Sequence, residues 1–215
     1  TLRGYAACLP WGEGVRLVIY DDPGSEQTDL FLGLMLMCES RARNLIEEMN
    51  NPDKHGIFTH ISDTSTHQKA VLEEAGYRIN KFIFNMHRDL LASHPLPKLP
   101  AGFSIRTAAT GQDDRAIHAL VQEAFDWRER DPQPFEEWKE FLMNPSIYNP
   151  DLWFLAVKDN GEIIGTCLCF QYNDIGWIRQ LAVKKPYRKL GIGRALLEQA
   201  FYIFKGRGMP KAGLS

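Results

Sequence analysis

The chain has 215 residues, 44% apolar and 24% charged, an ordinary globular composition with length for one large domain or two small ones. A formal net charge of −2 gives no reason to expect nucleic acid as a partner. No run approaches the roughly 20 apolar residues that a membrane span needs; the stretch from Leu30 to Cys38 is far too short, and nothing resembles a signal peptide.

In chain order, residues 3–9 and 15–20 read as two strands joined by a turn-rich connection at Pro10-Trp11-Gly12-Glu13-Gly14. A long helical pattern runs from about Asp29 to Asn50 and ends at Asn51-Pro52-Asp53. Residues 56–61 form a short strand. Asp63 or Ser65 can cap a helix over 66–75, with Gly76 at its C-terminal stop. Residues 77–90 are again strand-like. Residues 91–100, with three prolines, read as a semi-extended linker.

A second unit, 101–215, opens with a strand at 103–106. A helix over 113–125 follows, with Ala116, Ile117, Leu120, Val121 and Ala124 on one face. A Pro-rich loop, Asp131-Pro132-Gln133-Pro134, leads to a second helix at about 135–143. Strands at 152–157 and 163–172 flank a hairpin turn at Asp159-Asn160-Gly161-Glu162, and Asn173-Asp174 turns the chain again. The four cysteines are Cys8, Cys38, Cys167 and Cys169; with no C-x-x-C pair and no clustered histidine, no metal is expected. Buried thiols in a cytoplasmic protein are expected instead.

The organising stretch is 177–207. Residues 177–183 are apolar and β-branched enough for a buried strand, and Pro186 prevents its continuation. From Gly191 onward, Ile192, Ala195, Leu196, Gln199, Ala200 and Ile203 recur at helical spacing. The turn between them is Arg188-Lys189-Leu190-Gly191-Ile192-Gly193. Glycines in a helix's first turn let the backbone approach a ligand, and the free N–H groups and dipole there favour negative charge. Lys184, Lys185, Arg188, Lys189 and Arg194 surround this end, with no acid between 184 and 194. Such a loop suits a pyrophosphate; the bland alternative is a solvated basic turn. A Walker loop is absent, and Leu196 stands where the dinucleotide fingerprint needs its third glycine.

The strand, Pro186 and R-x-x-G-x-G opening a helix together resemble the acetyl-CoA-binding motif of the GCN5-related N-acetyltransferases. The element order of the second unit is also that family's, and the order of the first resembles the second half of such a domain. Val71-Leu72-Glu73-Glu74-Ala75-Gly76-Tyr77 is similar to the family's helix ending, and Met86-His87-Arg88-Asp89-Leu90 to its closing strand. The likeness is to tandem members of the mycothiol synthase type. It implies a mixed-sheet α/β (α+β) tandem fold: a degenerate unit at 1–90, the linker at 91–100, and an acetyl-CoA-binding unit at 101–215. Both units read as incomplete. The chain starts at Thr1 without a methionine and stops on a strand just beginning, so truncation is the expected account. Exchange between copies in an oligomer is the other.

The resemblance implies an enzyme that moves an acetyl group from acetyl-CoA to a primary amine of a small molecule by direct transfer. Backbone groups of Leu181, Ala182 and Val183 would hold the pantetheine and polarise the acetyl carbonyl. Arg188, Lys189, Leu190, Gly191, Ile192, Gly193 and Arg194 would hold the pyrophosphate. Many relatives place a glutamate near the start of this strand, but here Trp177 occupies that position and cannot take a proton. The general base is therefore unassigned; Glu129, Asp131 and Asp174 are candidates, each more readily read as a solvated loop charge, and a water relay could serve instead. The general acid would be a tyrosine on a helix after Ser215. In the first unit, Asp21, Asp22, Glu26 and Asp29 occupy the loop where a pyrophosphate would sit, and Leu72 holds the tyrosine position. That unit is expected to be structural. Trp127, Trp138, Trp153, Tyr172 and Trp177 could line an acceptor pocket, with packing on the sheet expected for Trp138 and Trp153. Two rivals remain: a non-catalytic acyl-CoA-binding or regulatory module, motivated by Trp177, and an aminoacyl-tRNA-dependent transferase, opposed by the intact glycine motif and the net acidity.

Overall fold

The computed structural model describes residues 3–11, 14–21, 28–50, 52–90, 96–125, 132–143 and 146–215, with the side chains of Thr28 and Asp29 outside that set. The chain divides into two compact units, Thr1–Phe82 and Ile83–Ser215.

In the first unit, strands β1 (Gly4–Pro10) and β2 (Gly14–Asp21) pair antiparallel, with Ala7 opposite Val18. Helix α1 (Thr28–Glu47) crosses over to β3 (Gly56–Thr59), which pairs parallel with β2. This is the crossover a parallel pair requires. Phe31, Met35, Cys38 and Ala42 recur every three or four residues along α1 and bury against Val15 and Leu17 of β2. Gly14 has no alternative, because a Cβ there would stand 2.0 Å from the Gly56 carbonyl oxygen. Helix α2 (Thr66–Glu74) stops as expected at Gly76, whose φ of +87° suits only glycine. The Tyr77 N–H reaches back 2.9 Å to the Leu72 carbonyl, the six-to-one bond of a Schellman ending. Ser65 stands at the N-cap position but makes no side-chain capping bond.

One strand departs from expectation. Of residues 77–90 only Met86–Asp89 forms a strand, β4, and it pairs with the last strand of the second unit instead of closing the first. Alternating apolar residues define a strand's faces but leave its partner open, and partner choice here is a long-range matter. The Asp89–Lys211 pair, opposite charges in register, is consistent with the observed ladder.

The second unit is built on a six-stranded sheet of order β4-β9-β8-β7-β6-β5. Its other strands are β5 (Phe103–Thr107), β6 (Trp153–Lys158), β7 (Ile163–Tyr172), β8 (Ile175–Val183) and β9 (Lys211–Leu214). All neighbours are antiparallel except β8 and β9, which are joined through helix α5 (Ile192–Gly206). Helices α3 (Asp114–Phe125) and α4 (Phe135–Leu142) cover the face opposite α5. On the α5 face, Ile192, Leu196, Ala200 and Phe204 pack against Phe154, Ile164 and Ile178. On the other, Ile117, Leu120, Trp138 and Leu142 pack against Trp153, Leu155 and Phe170. β6 and β7 are buried on both faces, which is why their sequences run apolar without alternation. The packing expected of Trp138 and Trp153 holds: they are 1% and 0% exposed and lie 5.9 Å apart, centroid to centroid. Asn149 caps a short 3-10 turn before β6 by accepting the Asp151 N–H.

Candidate functional site

β8 carries the site, and its pairing explains how. Leu168 and Cys169 of β7 pair with Gln180 and Ile178, so Arg179 is an extra residue, a bulge. On the other edge, the ladder with β9 covers Ile175 to Ile178. From Gln180 to Val183 the described partners of β8 lie on β7 alone. The bulge takes Arg179 out of the β7 ladder, which leaves its backbone groups available to a ligand. Leu181 and Val183 are half-buried, while Ala182 is buried toward α3.

Past Val183 the chain makes a 3-10 turn at Lys185–Tyr187 and reaches α5 through two left-handed residues, Lys189 at φ +66° and Gly191 at φ +82°. Gly191 is the N-cap and has no side chain to cap with; the first bond of α5 joins the Ala195 N–H to the Gly191 carbonyl at 2.9 Å. The N–H groups of Ile192, Gly193 and Arg194 therefore have no acceptor within the helix. Ile192 can offer only its backbone, since its side chain is 1% exposed and in the core. Leu190 is exposed.

The cations of this loop do different jobs. Arg188 Nε donates to the Val183 carbonyl at 2.9 Å, and its Nη2 to the Ala124 carbonyl at 3.5 Å. The guanidinium thus pins the turn to the ends of β8 and α3. Lys184 pairs with Glu162 at 3.0 Å, and Glu162 also takes Lys158 and the Tyr187 hydroxyl at 3.4 Å each. The hydrogen bond from Lys184 is the main cause that holds the Glu162 carboxyl below the usual carboxylate range. Arg194 pairs with Glu198 at 2.7 Å. Among the described residues, Lys185 and Lys189 have no ion-pair partner. The sequence shows no acid between 184 and 194, but the fold supplies Glu162 from the β6–β7 turn and Glu198 from the next turn of α5.

A cavity of about 550 Å³ lies beside β8, lined by Phe141 and Leu142 of α4, Ile147, Phe170 and Tyr172 of β7, Ile175, Trp177 and Arg179 of β8, and Ser215. Of the aromatic residues proposed to line a pocket, Tyr172 and Trp177 reach it, Trp138 and Trp153 are core, and Trp127 lies outside the described residues. Trp177 lies edge-on to His87, with ring centroids 5.7 Å apart, and covers Gly213, where a Cβ would stand 2.4 Å from its ring. His87 is a titratable neighbour of the strand that sequence reading missed, because β4 was assigned to the first unit. Of the candidate bases, Glu129 and Asp131 lie outside the described residues. Asp174 is exposed in the β7–β8 turn, about 23 Å of strand rise from Leu181. It cannot act directly on chemistry beside Leu181. Cys167 and Cys169 are fully buried with sulfurs 3.5 Å apart, and burial pushes the Cys169 thiol well up, consistent with core residues. In the first unit, Asp21 accepts a 2.6 Å bond from Gln68 and Leu72 is 5% exposed in the core; Asp22 and Glu26 lie outside the described residues.

A meander whose bulged third strand runs into a glycine-opened helix, with two helices on the opposite face, defines an acetyltransferase-type α/β fold. Residues 115–214 match the acetyltransferase (GNAT) family. A mycothiol acetyltransferase of Acidothermus cellulolyticus is 29% identical over 159 residues, 66% of this chain and 48% of its own length. The crystal structure of a GCN5-related N-acetyltransferase from Sphaerobacter thermophilus superposes with a TM-score of 0.85 at 30% identity, over 98% of this chain and 66% of the other. A tandem GNAT protein from the clavulanic acid biosynthesis pathway shares the fold over 99% of this chain and 70% of its own, with a TM-score of 0.65 at 18% identity. Residues 115–214 thus form a domain of the GCN5-related N-acetyltransferase (GNAT) family. The chain spans about half the length, or less, of the curated relatives it matches, with 48%, 39% and 41% of three mycothiol acetyltransferases covered. Among the described residues, no helix is long and apolar enough to cross a membrane.

Proposed function

We propose that the second unit is an acetyl-CoA-dependent N-acetyltransferase that acetylates a primary amine of a small molecule by direct transfer. The observation that carries this reading is the start of α5: three N–H groups without helical acceptors, opened by a glycine at φ +82°, following a bulged strand. The names of the mycothiol acetyltransferase relatives support acetyl transfer as the chemistry.

Acetyl-CoA supplies an acyl group activated as a thioester. The N–H groups of Ile192, Gly193 and Arg194 would bind its pyrophosphate, with Lys189 and Leu190 flanking and Arg188 holding the turn in place. Backbone groups of Leu181, Ala182 and Val183 would hold the pantetheine arm and donate to the acetyl carbonyl as it gains negative charge. The neutral amine would then attack that carbon, a C–N bond forming as the C–S bond breaks, with the departing thiolate taking up a proton. Among the described residues no side-chain carboxylate lines the cavity, so proton removal would pass through water. The first unit serves as a structural partner without a cofactor site; Leu72 in its core supports that role. Free thiols at all four cysteines support a cytoplasmic setting.

The alternative is a non-catalytic acyl-CoA-binding or regulatory module, motivated by Trp177. Isothermal titration of acetyl-CoA into the chain, with Gly191→Asp alongside, tests the first half of the proposal. Binding at one site, lost in the folded variant, is expected; equal affinity in both would sink the site assignment. CoA release with amines then separates transferase from module.

A further inference from the structure

The cavity beside β8 has an unusual electrical character for a site that accepts amines. Its described lining contains one charged side chain, and that one is a cation: Arg179. Among the described residues, no side-chain carboxylate lines it and none pairs with the Arg179 guanidinium. The remaining walls are aromatic and aliphatic, with Phe141 from α4, Phe170 and Tyr172 from β7, and Trp177 two residues before the arginine. The guanidinium carbon lies over the Phe141 ring, 5.4 Å from its centre, within cation–π range.

Arg179 owes this position to the bulge. It is the extra residue of β8 against β7. Leu181 is two residues further along, about 7 Å of strand rise. The charge therefore stands between the apolar cavity and the backbone assigned above to the acetyl group. Resting on that assignment, we propose that Arg179 selects the acceptor, an amine with an aromatic or otherwise apolar body that also carries a carboxylate. An aromatic α-amino acid is the simplest instance.

Three physical effects point the same way. A guanidinium grips a carboxylate through two parallel N–H···O bonds, which would orient the acceptor as well as bind it. A cation in the cavity repels acceptors with a second ammonium, so polyamines and aminoglycosides are disfavoured. The same charge lowers the pKa of an ammonium brought near it, which raises the fraction of neutral amine available for attack. That last effect suits a strand whose residue 177 is a tryptophan. A volume of about 550 Å³ is ample for such a molecule.

Matched acceptors test this. Phenylalanine and phenethylamine differ only in the carboxylate, and CoA release from acetyl-CoA gives kcat/KM for each. The expected result is a preference of about ten- to a hundredfold for phenylalanine, the range of one charge-assisted hydrogen-bonded contact. Arg179→Gln should abolish that preference by raising KM for phenylalanine alone, and Arg179→Lys should restore part of it. Transfer with equal efficiency to both amines, or a preference that survives Arg179→Gln, would overturn the inference and leave the transferase reading standing. Should neither amine be acetylated, calorimetric binding of N-acetylphenylalanine against N-acetylphenethylamine decides the matter. Preferential binding of the carboxylated compound, lost in Arg179→Gln, supports the cavity's selectivity even as transfer fails. No preference there overturns it.

Discussion

Gly193→Ala separates what the glycine motif does for the fold from what it does for a ligand. Within the chain, nothing forbids the methyl group. A Cβ at 193 would meet one neighbour, the Val183 Cγ2 at 3.6 Å, an ordinary van der Waals contact, and the residue has no positive φ. Removing a glycine from a helix stabilises by up to about 1 kcal/mol, worth roughly 2–4 °C in a chain of this size. The ligand is affected differently. A phosphate oxygen that accepts the N–H groups of residues 192–194 at about 2.8–3.0 Å lies close over the first turn. A methyl carbon there needs about 3.5–4.0 Å from every heavy atom, so the ligand must retreat and lengthen those bonds. The expected outcome is an unchanged or slightly raised melting temperature with acetyl-CoA affinity weakened at least about tenfold, or ~1.4 kcal/mol. Thermal unfolding and calorimetric titration on the same sample check both halves. A variant that is equally stable and binds acetyl-CoA as tightly as the parent would refute the reasoning, because the ligand would then not touch this turn.

The remaining two expectations concern ion pairs. If Arg188 works as an anchor for the turn through the Val183 and Ala124 carbonyls, then Arg188→Lys should weaken acetyl-CoA binding nearly as much as Arg188→Gln, since lysine keeps the charge but not the fork; full rescue by lysine in titrations would show that the charge alone matters. Asp113 takes two bonds from Arg106, at 2.6 and 2.8 Å, and the Ala109 N–H at 2.7 Å. The Arg106 hydrogen bond is the leading cause that holds its carboxyl below the ordinary value. Because the folded carboxyl ionises at a lower pH than the unfolded one, its contribution is complete above about pH 4 and disappears as pH falls through the folded value. Asp113→Asn should therefore lose stability at neutral pH and show a flatter acid limb in thermal melts between about pH 5 and 2; identical pH profiles for parent and variant would count against that pair.

Local chemistry made much of the second unit legible. The β-branched run at 177–183, the proline at 186, the glycine at 191 and the apolar stripe of α5 each act within a few residues of themselves, and each element stands where the pattern put it. The same holds for the tryptophans at 138 and 153, which stand on the apolar stripe of α4 and in the apolar run of β6. What sequence could not show is which strand pairs with which. Met86–Asp89 reads correctly as a strand, but its partner is Lys211–Leu214, with Asp89 opposite Lys211, 122 residues on. No local periodicity encodes that distance.

The same limit governs the site's electrostatics. Reading the loop from 184 to 194 as an unbroken basic patch treats charge as a property of neighbours in sequence. The fold instead brings Glu162 against Lys184 and turns Arg188 inward onto two carbonyls. What remains for an anion is mostly backbone: three N–H groups of α5 and the lysines at 185 and 189. A site of that kind owes its affinity more to geometry than to net charge, so salt should weaken acetyl-CoA binding less than five free cations would imply. The bulge at Arg179 is a further case. One extra residue in β8 is invisible in an apolar run, since it alters pairing without altering composition. Yet it puts a cation into the cavity, two residues before the Leu181 backbone proposed to hold the acetyl group. The features most specific to this chain's chemistry are thus those that depend on register, which only the assembled sheet defines.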